Sequence, residues 1–142
     1  MTKTRGAAVR GLSLLALLFA LCAATVSSPA PAAATEAGIN SVYPTCTMSR
    51  CADAKKAYDG WRQLNFPTSR NWYSWPYGQY NFAGGQFYNR EGQLPKDHKF
   101  YEYDVYPRAK GASRDAHRIV RDTNTGTVWY SPDHYENFYK IV

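Results

Sequence analysis

The sequence contains few of the residues that build metal sites and disulfide frameworks. Its 142 residues include three cysteines and three histidines, and one cysteine, Cys22, lies within an N-terminal apolar run. Near the other two, Cys46 and Cys51, there is no histidine or second cysteine pair at ligand spacing, which argues against a metal site. If the protein is exported, these two cysteines are expected to form a disulfide.

Long apolar runs are also scarce. Residues 12–24 form a nearly continuous apolar run, which is too short for a comfortable membrane span. Three basic residues precede this run, and two small-residue cleavage patterns follow it, at 22–24 and 32–34. We therefore predict a secretory signal peptide over residues 1–34, with cleavage after Ala34. The mature protein is then expected to be extracellular and to have no membrane-spanning segment.

Cleavage after Ala34 would leave 108 residues, which is enough for a single small domain over residues 35–142. It removes three of the 17 basic residues and none of the 11 acidic ones, so the net charge falls from +6 to +3. This mildly basic balance fits an anionic partner such as nucleic acid or a charged surface, without selecting one. Residues 35–45 lack periodicity and are predicted to be flexible.

The order of sequence patterns predicts an α+β domain. An amphipathic pattern over residues 47–64 predicts one N-terminal helix, and four or five strands joined by short turns follow it. The helix is expected to pack on the face of an antiparallel sheet. Residues 66–85 are predicted to form a long connection rich in aromatic residues. That connection is either a satellite core or a surface on which bases or sugars stack.

The clearest strand pattern covers residues 99–106, where aromatic and β-branched residues dominate. Alternation places Glu102 and Asp104 on the face opposite Tyr101 and Tyr103. A carboxylate at mid-strand has two interpretations, because burying it without a partner is costly. Glu102 is either on a solvated sheet face or held in a cleft as a general base.

Three residues of different chemistry come from successive strands or their ends: Glu102, Arg118 and His134. Side chains of neighbouring strands can converge on one face, although sequence does not determine the register. If the three residues meet, a carboxylate and an imidazole can act as base and acid across a phosphodiester. The arginine can stabilise the developing charge.

Five segments in order resemble the microbial guanyl-specific ribonucleases of the barnase and streptomycete type. They are Phe87-Tyr88-Asn89-Arg90-Glu91, Leu94-Pro95, Tyr101-Glu102-Tyr103, Arg114 with Arg118-Ile119-Val120, and Asp133-His134-Tyr135. The similarity covers about residues 85–139. It implies a bacterial endonuclease that hydrolyses single-stranded RNA on the 3′ side of guanosine through a 2′,3′-cyclic phosphate, without metal or other cofactor.

The resemblance also implies a role for each catalytic residue. Glu102 matches the general base that takes the 2′-OH proton, and His134 matches the general acid that protonates the leaving 5′-oxygen. Arg118 and Arg114 match the arginines that stabilise the charged transition state. Two further basic residues of the turn before Arg118, Arg108 and Lys110, are alternatives to Arg114.

A second group of residues is implied to bind guanine. Glu91 matches the carboxylate that accepts hydrogen bonds from guanine N1 and N2. The backbone of Tyr88, Asn89 and Arg90 would bind O6 and N7, and Tyr135 would stack on the base or pack beside it. These roles agree with the donor edge of guanine and with the stacking of unpaired bases on aromatic rings.

The expected partner is single-stranded RNA, a barstar-like inhibitor protein is a second candidate, and a monomer is expected. One alternative from another class is a catalytically inactive RNA- or glycan-binding module that uses the basic turn and the aromatic connection. Glu102, Arg118 and His134 together argue against it, since binding alone requires no acid–base pair. A toxin for competition between cells would use the same chemistry and an intracellular inhibitor.

Overall fold

The computed structural model describes residues 41–142, and the predicted signal peptide over 1–34 lies outside them. The described chain contains one helix and seven strands. In chain order they are β1 (Val42–Tyr43), α1 (Cys51–Gln63), β2 (Asn71–Ser74), β3 (Tyr80–Phe87), β4 (Phe100–Asp104), β5 (Arg118–Asp122), β6 (Val128–Ser131) and β7 (Phe138–Lys140). No helix of the described part is long and apolar enough to cross a membrane.

The strands form one mixed sheet in the order β1-β7-β6-β5-β4-β3-β2. Neighbouring strands from β2 to β7 are antiparallel, whereas β1 pairs with β7 in parallel. The predicted fold class, an N-terminal helix on an antiparallel sheet of four to five strands, is therefore wrong. The described chain is mostly β, its sheet has seven strands, and the helix follows β1.

Strand β2 and most of β3 lie in the segment that was predicted to be a connection. Strands β2 and β3 form a hairpin, in which Trp72 pairs with Phe82. The hairpin turn is closed by hydrogen bonds from Trp75 N to Gln79 O at 3.0 Å and from Gly78 N to Trp75 O at 3.1 Å. The glycines of β3 and the proline of the turn resemble loop composition, which hid the strands in the sequence.

Strand β1 lies in the segment predicted to be flexible. Val42 pairs with Phe138 and Tyr43 with Tyr139, and the two tyrosine rings stack with centroids 4.5 Å apart. Two residues carry no periodicity of their own. Strand β1 therefore exists because the distant edge of β7 provides its hydrogen-bond partners.

Helix α1 begins at Cys51 and ends at Gln63, within the predicted range of 47–64. Its buried residues Ala54, Ala57 and Trp61 pack in an apolar core with Tyr103 and Ile119 of the sheet. The predicted disulfide is confirmed, since Cys46 and Cys51 are bonded at the start of the helix. This side of the sheet is called the helix face below.

The opposite side of the sheet, called the open face below, combines a small apolar cluster with charged groups. The cluster contains Phe100, Val120 and Trp129. Farther along β4 on the same side lie the carboxylates of Glu102 and Asp104, since alternate residues of a strand share a face. One strand thus supplies the helix-face core and a row of buried acids.

Candidate active site

Glu102 lies in the middle of β4, and its side chain is only 9% exposed. On the neighbouring strand β3 a bulge between Ala83 and Gly85 displaces the register opposite Glu102. The glycine within that bulge, Gly84, leaves room for the carboxylate. A Cβ on Gly84 would lie 1.7 Å from Glu102 Oε1. The bulge and its glycine therefore determine where the carboxylate lies.

Arg114 binds this carboxylate in a bidentate manner. Its Nη1 donates to Glu102 Oε1 at 3.3 Å, and its Nη2 donates to Oε2 at 3.1 Å. The same guanidinium reaches a second acid, because Nε donates to Asp104 Oδ1 at 2.9 Å. Of the basic residues in the turn before β5, Arg114 is thus the one that contacts the predicted general base, and it bridges two carboxylates.

Arg118, at the start of β5, is the most buried cation of the cluster, with 2% of its side chain exposed. Its Nε lies 3.4 Å from Glu102 Oε2, and its Nη1 lies 3.3 Å from Asp104 Oδ1. Burial lowers the pKa of Arg118, an effect that the neighbouring carboxylates partly offset. The guanidinium still remains charged at neutral pH, because arginine is the most strongly basic side chain.

Asp104 was not among the predicted site residues, yet it ties the cluster together. Its side chain is fully buried and contacts three guanidinium groups, those of Arg108, Arg114 and Arg118. Three cations around one buried acid satisfy its charge and fix the orientation of the arginines that face Glu102. The signal was present in the sequence, since Asp104 follows Glu102 by two positions in the same strand.

A pocket of about 250 Å³ opens beside Glu102. It is lined by Glu102 and by residues predicted to bind guanine: Tyr88, Asn89, Arg90, Glu91 and Tyr135, together with Gln86 and Phe87. The Tyr135 hydroxyl donates a hydrogen bond to Glu102 Oε2. The pocket and the predicted general base are thus parts of one site.

The pocket loop is held by the side chain of Asn89. Its amide donates to the Leu94 carbonyl at 2.9 Å, and its carbonyl accepts from Leu94 N at 3.1 Å. Asn89 itself has a left-handed φ of 48°. Because its side chain is used within the loop, only backbone groups of this residue remain for a ligand. That arrangement is the one the resemblance implies.

His134 is exposed and lies in a loop with unusual backbone geometry. Both His134 and Tyr135 have left-handed φ values, 55° and 76°. Ser131 and Asp133 hold the loop, since Tyr135 N donates to Ser131 Oγ at 2.8 Å and Ser131 Oγ donates to Asp133 Oδ1 at 3.0 Å. Strained backbone of this kind persists where the surroundings hold it, and it is frequent at functional sites.

His134 lines a second pocket of about 250 Å³ together with Glu91, Tyr135 and Glu136. The two pockets share Glu91 and Tyr135. The structure therefore brings Glu102, Arg114, Arg118 and Tyr135 into one contact network and places His134 in the adjoining pocket. The backbone of His134 joins it to the segment before β5, because its N–H donates to Ala116 O at 3.0 Å.

The geometry favours acid–base chemistry on an anionic substrate. Within residues 41–142 there is no group of three or more His, Cys, Asp or Glu side chains placed to hold a metal ion. The site provides the Glu102 carboxylate, which two arginines contact, and the exposed imidazole of His134 in the adjoining pocket. Such groups can exchange protons with a substrate and stabilise negative charge that develops on a phosphate.

Fold and site thus define a small β-sheet enzyme with a carboxylate–arginine centre. A family model described as ribonuclease matches residues 30–142, and the chain belongs to this ribonuclease family. It is therefore an RNA-cleaving enzyme whose substrate is RNA. None of the curated proteins with which the sequence was compared matches it significantly.

Proposed function

We propose that this ribonuclease is a guanyl-specific endoribonuclease. The observation that carries the proposal is that Glu102 contacts the arginine cluster and also lines a pocket. Its carboxylate is bound by Arg114, and it also lines the pocket formed by the loop of Glu91. A base held in that pocket would have its own ribose and 3′-phosphate next to the carboxylate.

In the first step Glu102 accepts the proton of the ribose 2′-hydroxyl. The 2′-oxygen attacks the phosphorus, and the bond from phosphorus to the 5′-oxygen of the next nucleotide breaks. His134 gives a proton to that leaving oxygen, and a 2′,3′-cyclic phosphate remains. In the second step water attacks the cyclic phosphate and the two residues exchange roles.

The arginines contribute by electrostatics. Arg114 and Arg118 already face Glu102, so their charges are oriented before the substrate binds. Negative charge that develops on the phosphate oxygens would meet guanidinium groups that need no reorganisation. The enzyme is expected to need one ionised carboxylate and one protonated imidazole, which gives a bell-shaped dependence of rate on pH.

Guanine preference is assigned to the pocket loop. Glu91 is exposed at the rim of both pockets, where a carboxylate can accept from N1 and N2 of guanine. Adenine presents no such pair of donors, so the same carboxylate would be left without partners. Tyr135 lies between the pockets and offers a ring for the base.

The first test measures cleavage of GpC, ApC, UpC and CpC by the purified protein in excess EDTA. Rapid cleavage of GpC through a cyclic phosphate, lost in His134→Ala, is the expected result. Equal cleavage of all four dinucleotides would overturn the guanine assignment. A folded sample that binds RNA and cleaves none of them would favour a binding module instead.

A second test concerns Glu91 alone. The substitution Glu91→Gln is expected to lower kcat/KM for GpC by about tenfold or more while ApC changes little, because a lost hydrogen bond to a charged group is worth about 1.5–3 kcal/mol. The control is Glu136→Gln, since Glu136 lines the His134 pocket and not the pocket beside Glu102. An equal loss on every dinucleotide would show that Glu91 does not read the base.

Secretion and a dedicated inhibitor protein are parts of the same proposal. The apolar run and the small-residue cleavage patterns at the N-terminus support export. Antibody detection of the mature chain in the culture medium of the source cells would test export. Co-purification of an acidic partner that abolishes GpC cleavage would test the inhibitor.

A further inference from the structure

A strip of aromatic and basic residues runs along β2 and β3, on the far side of Glu102 from His134. Its two rings, those of Trp72 and Phe82, lie 5.2 Å apart on paired residues of the hairpin. Three guanidinium groups lie over these rings: Arg70 over Phe82 at 5.0 Å, Arg114 over Phe82 at 4.6 Å, and Arg108 over Trp72 at 5.3 Å.

Arg70 is the cation of this strip that is still open to solvent. Its side chain is 60% exposed, against 20% for Arg114 and 15% for Arg108. It is nevertheless held in place, because Nη1 donates to the Gly84 carbonyl at 3.0 Å. The same nitrogen lies 3.8 Å from Glu102 Oε1. Arg70 is therefore an oriented and accessible charge next to the proposed reaction centre.

The charges of the cluster leave an excess of cations. Four guanidinium groups, those of Arg70, Arg108, Arg114 and Arg118, face three carboxylates, those of Glu102, Asp104 and Asp115. The three arginines other than Arg70 are directly engaged by Asp104. Arg70 therefore has the greatest capacity to bind an additional anion such as a phosphate.

Trp72 adds a surface for a base beside that charge. It is half-buried, so part of the indole is accessible. Every base has a face that can stack on an aromatic ring, and such contacts are tolerant of sequence. A guanidinium group for a phosphate and an indole ring for a base both lie next to the Phe82 ring, and together they match one nucleotide unit of single-stranded RNA.

We propose that Arg70 and Trp72 form a subsite for the nucleotide on the 5′ side of the guanosine. Arg70 would bind the phosphate between the two nucleotides, and Trp72 would stack on the preceding base. The inference rests on the proposed function, because it takes the guanosine to lie in the pocket beside Glu102.

The sheet order sets the polarity of the RNA. His134 follows β6, Glu102 lies on β4, and Trp72 lies on β2, so His134 and Trp72 are on opposite sides of the general base. His134 protonates the leaving oxygen of the nucleotide on the 3′ side. The chain on the 5′ side of the guanosine therefore leaves the site toward β2 and β3.

The test compares three substrates that share one scissile bond: GpC, 5′-phosphorylated pGpC and ApGpC. The wild-type kcat/KM is expected to rise at each addition, first from the phosphate and then from the stacked base. We expect the added base to contribute about fivefold or more, since stacking on an aromatic side chain is worth about 1–3 kcal/mol. Trp72→Ala should remove the advantage of ApGpC over pGpC and leave GpC cleavage unchanged.

The matched control is Tyr77→Ala. Tyr77 is an exposed aromatic of the same hairpin, but its ring lies against Trp75 of the helix-face core. This variant should keep the full advantage of ApGpC. A wild-type measurement also tests the subsite without any variant: cleavage of ApGpC should fall more steeply with salt than cleavage of GpC, because one more phosphate is contacted.

Two results would overturn the subsite and leave the proposed function standing. One is wild-type protein that cleaves GpC and ApGpC equally well and with the same salt dependence. The other is a Trp72→Ala protein that loses the same factor on all three substrates, since Trp72 would then act through the Arg108–Asp104 contact. Wild-type protein that cleaves none of them would instead overturn the guanyl-specific assignment and the subsite together.

Discussion

The two faces of the sheet are built from the same strands, but one face contributes to an apolar core and the other holds a charged site. In β4, Tyr103 points into the helix-face core, where it lies against Trp61 with ring centroids 5.0 Å apart. Its neighbours Glu102 and Asp104 point to the open face, where guanidinium groups surround them. A period of two lets one strand serve an apolar core and a charged site at once.

The comparison shows where stability and function are separated. The helix face gains stability from apolar burial, which needs no partner of specific charge. The open face contains charges that are tolerated only because they are paired. Substitutions that remove apolar packing on the helix face should therefore affect folding, whereas substitution of Glu102 on the open face should affect activity first.

The largest expected effect distinguishes two adjacent residues of β4. Glu102→Gln is expected to lower kcat/KM on GpC by about 10²- to 10⁴-fold, because it removes the general base. Tyr103→Phe is the matched variant on the helix face, and it should retain activity. The Tyr103 hydroxyl is buried without a hydrogen-bond partner in the described chain, so its removal should not lower the free energy of unfolding.

If Tyr103→Phe reduced activity as much as Glu102→Gln, the separation of the faces would be refuted. Steady-state kinetics and urea unfolding of both variants, measured under one condition, decide the matter.

The next effect concerns Asp104, an acid of the open face that also supports the fold. Asp104→Asn is expected to lower the free energy of unfolding by about 3–5 kcal/mol, because buried guanidinium groups lose their counter-charge. Asp59→Asn is the control, since Asp59 pairs with Arg62 at the surface of the helix and has half of its side chain exposed. Urea unfolding curves that coincide for the two variants would contradict a structural role for Asp104.

Two glycines sharpen the comparison further, because each makes room for a large side chain on one face. Gly84→Ala places a methyl group on the Glu102 carboxylate and is expected to lower kcat/KM by about 10- to 100-fold through its displacement. Gly60→Ala places a methyl group 2.3 Å from the Trp75 ring. This substitution should lower the free energy of unfolding rather than the activity. Activity and the free energy of unfolding, measured for both variants, should change in opposite patterns.

The last effect concerns stability alone and tests a buried carboxylate outside the site. Burial by itself would raise the pKa of Asp122, but hydrogen bonds with His98, Thr125 and Asn124 outweigh it and hold that pKa below its usual value. A depressed pKa stabilises the fold above the unfolded pKa of about 4, and the contribution is lost as pH falls through the lower folded pKa.

Asp122→Asn should therefore cost about 1.5–3 kcal/mol at neutral pH, as expected for hydrogen bonds to a charged group. The difference from wild type should shrink as the pH falls below about 4. Unfolding measured across this range, with Asp59→Asn as the exposed control, checks both the size and the sign. A difference that stays constant with pH would mean that the ionisation of Asp122 does not stabilise the fold.

The sequence by itself determined the features that depend on local pattern and residue type. Alternation in residues 100–104 placed Glu102 and Asp104 on one face, and the expectation of export indicated a disulfide between Cys46 and Cys51. Ordered motifs also indicated the ribonuclease family. Alternation within a strand depends only on neighbouring residues, so this physical constraint is visible in the sequence, whereas the family came from the resemblance of its motifs.

The tertiary structure decided whatever depends on register and distant partners. The hairpin of β2 and β3 was hidden by glycine and proline, and β1 exists only against the edge of β7. The bulge at Gly84, the position of Arg70 beside Glu102 and the three arginines around Asp104 depend on which strands pair and in which register. Strand pairing is a long-range choice, and a one-residue shift of β4 would turn Glu102 and Asp104 to the other face.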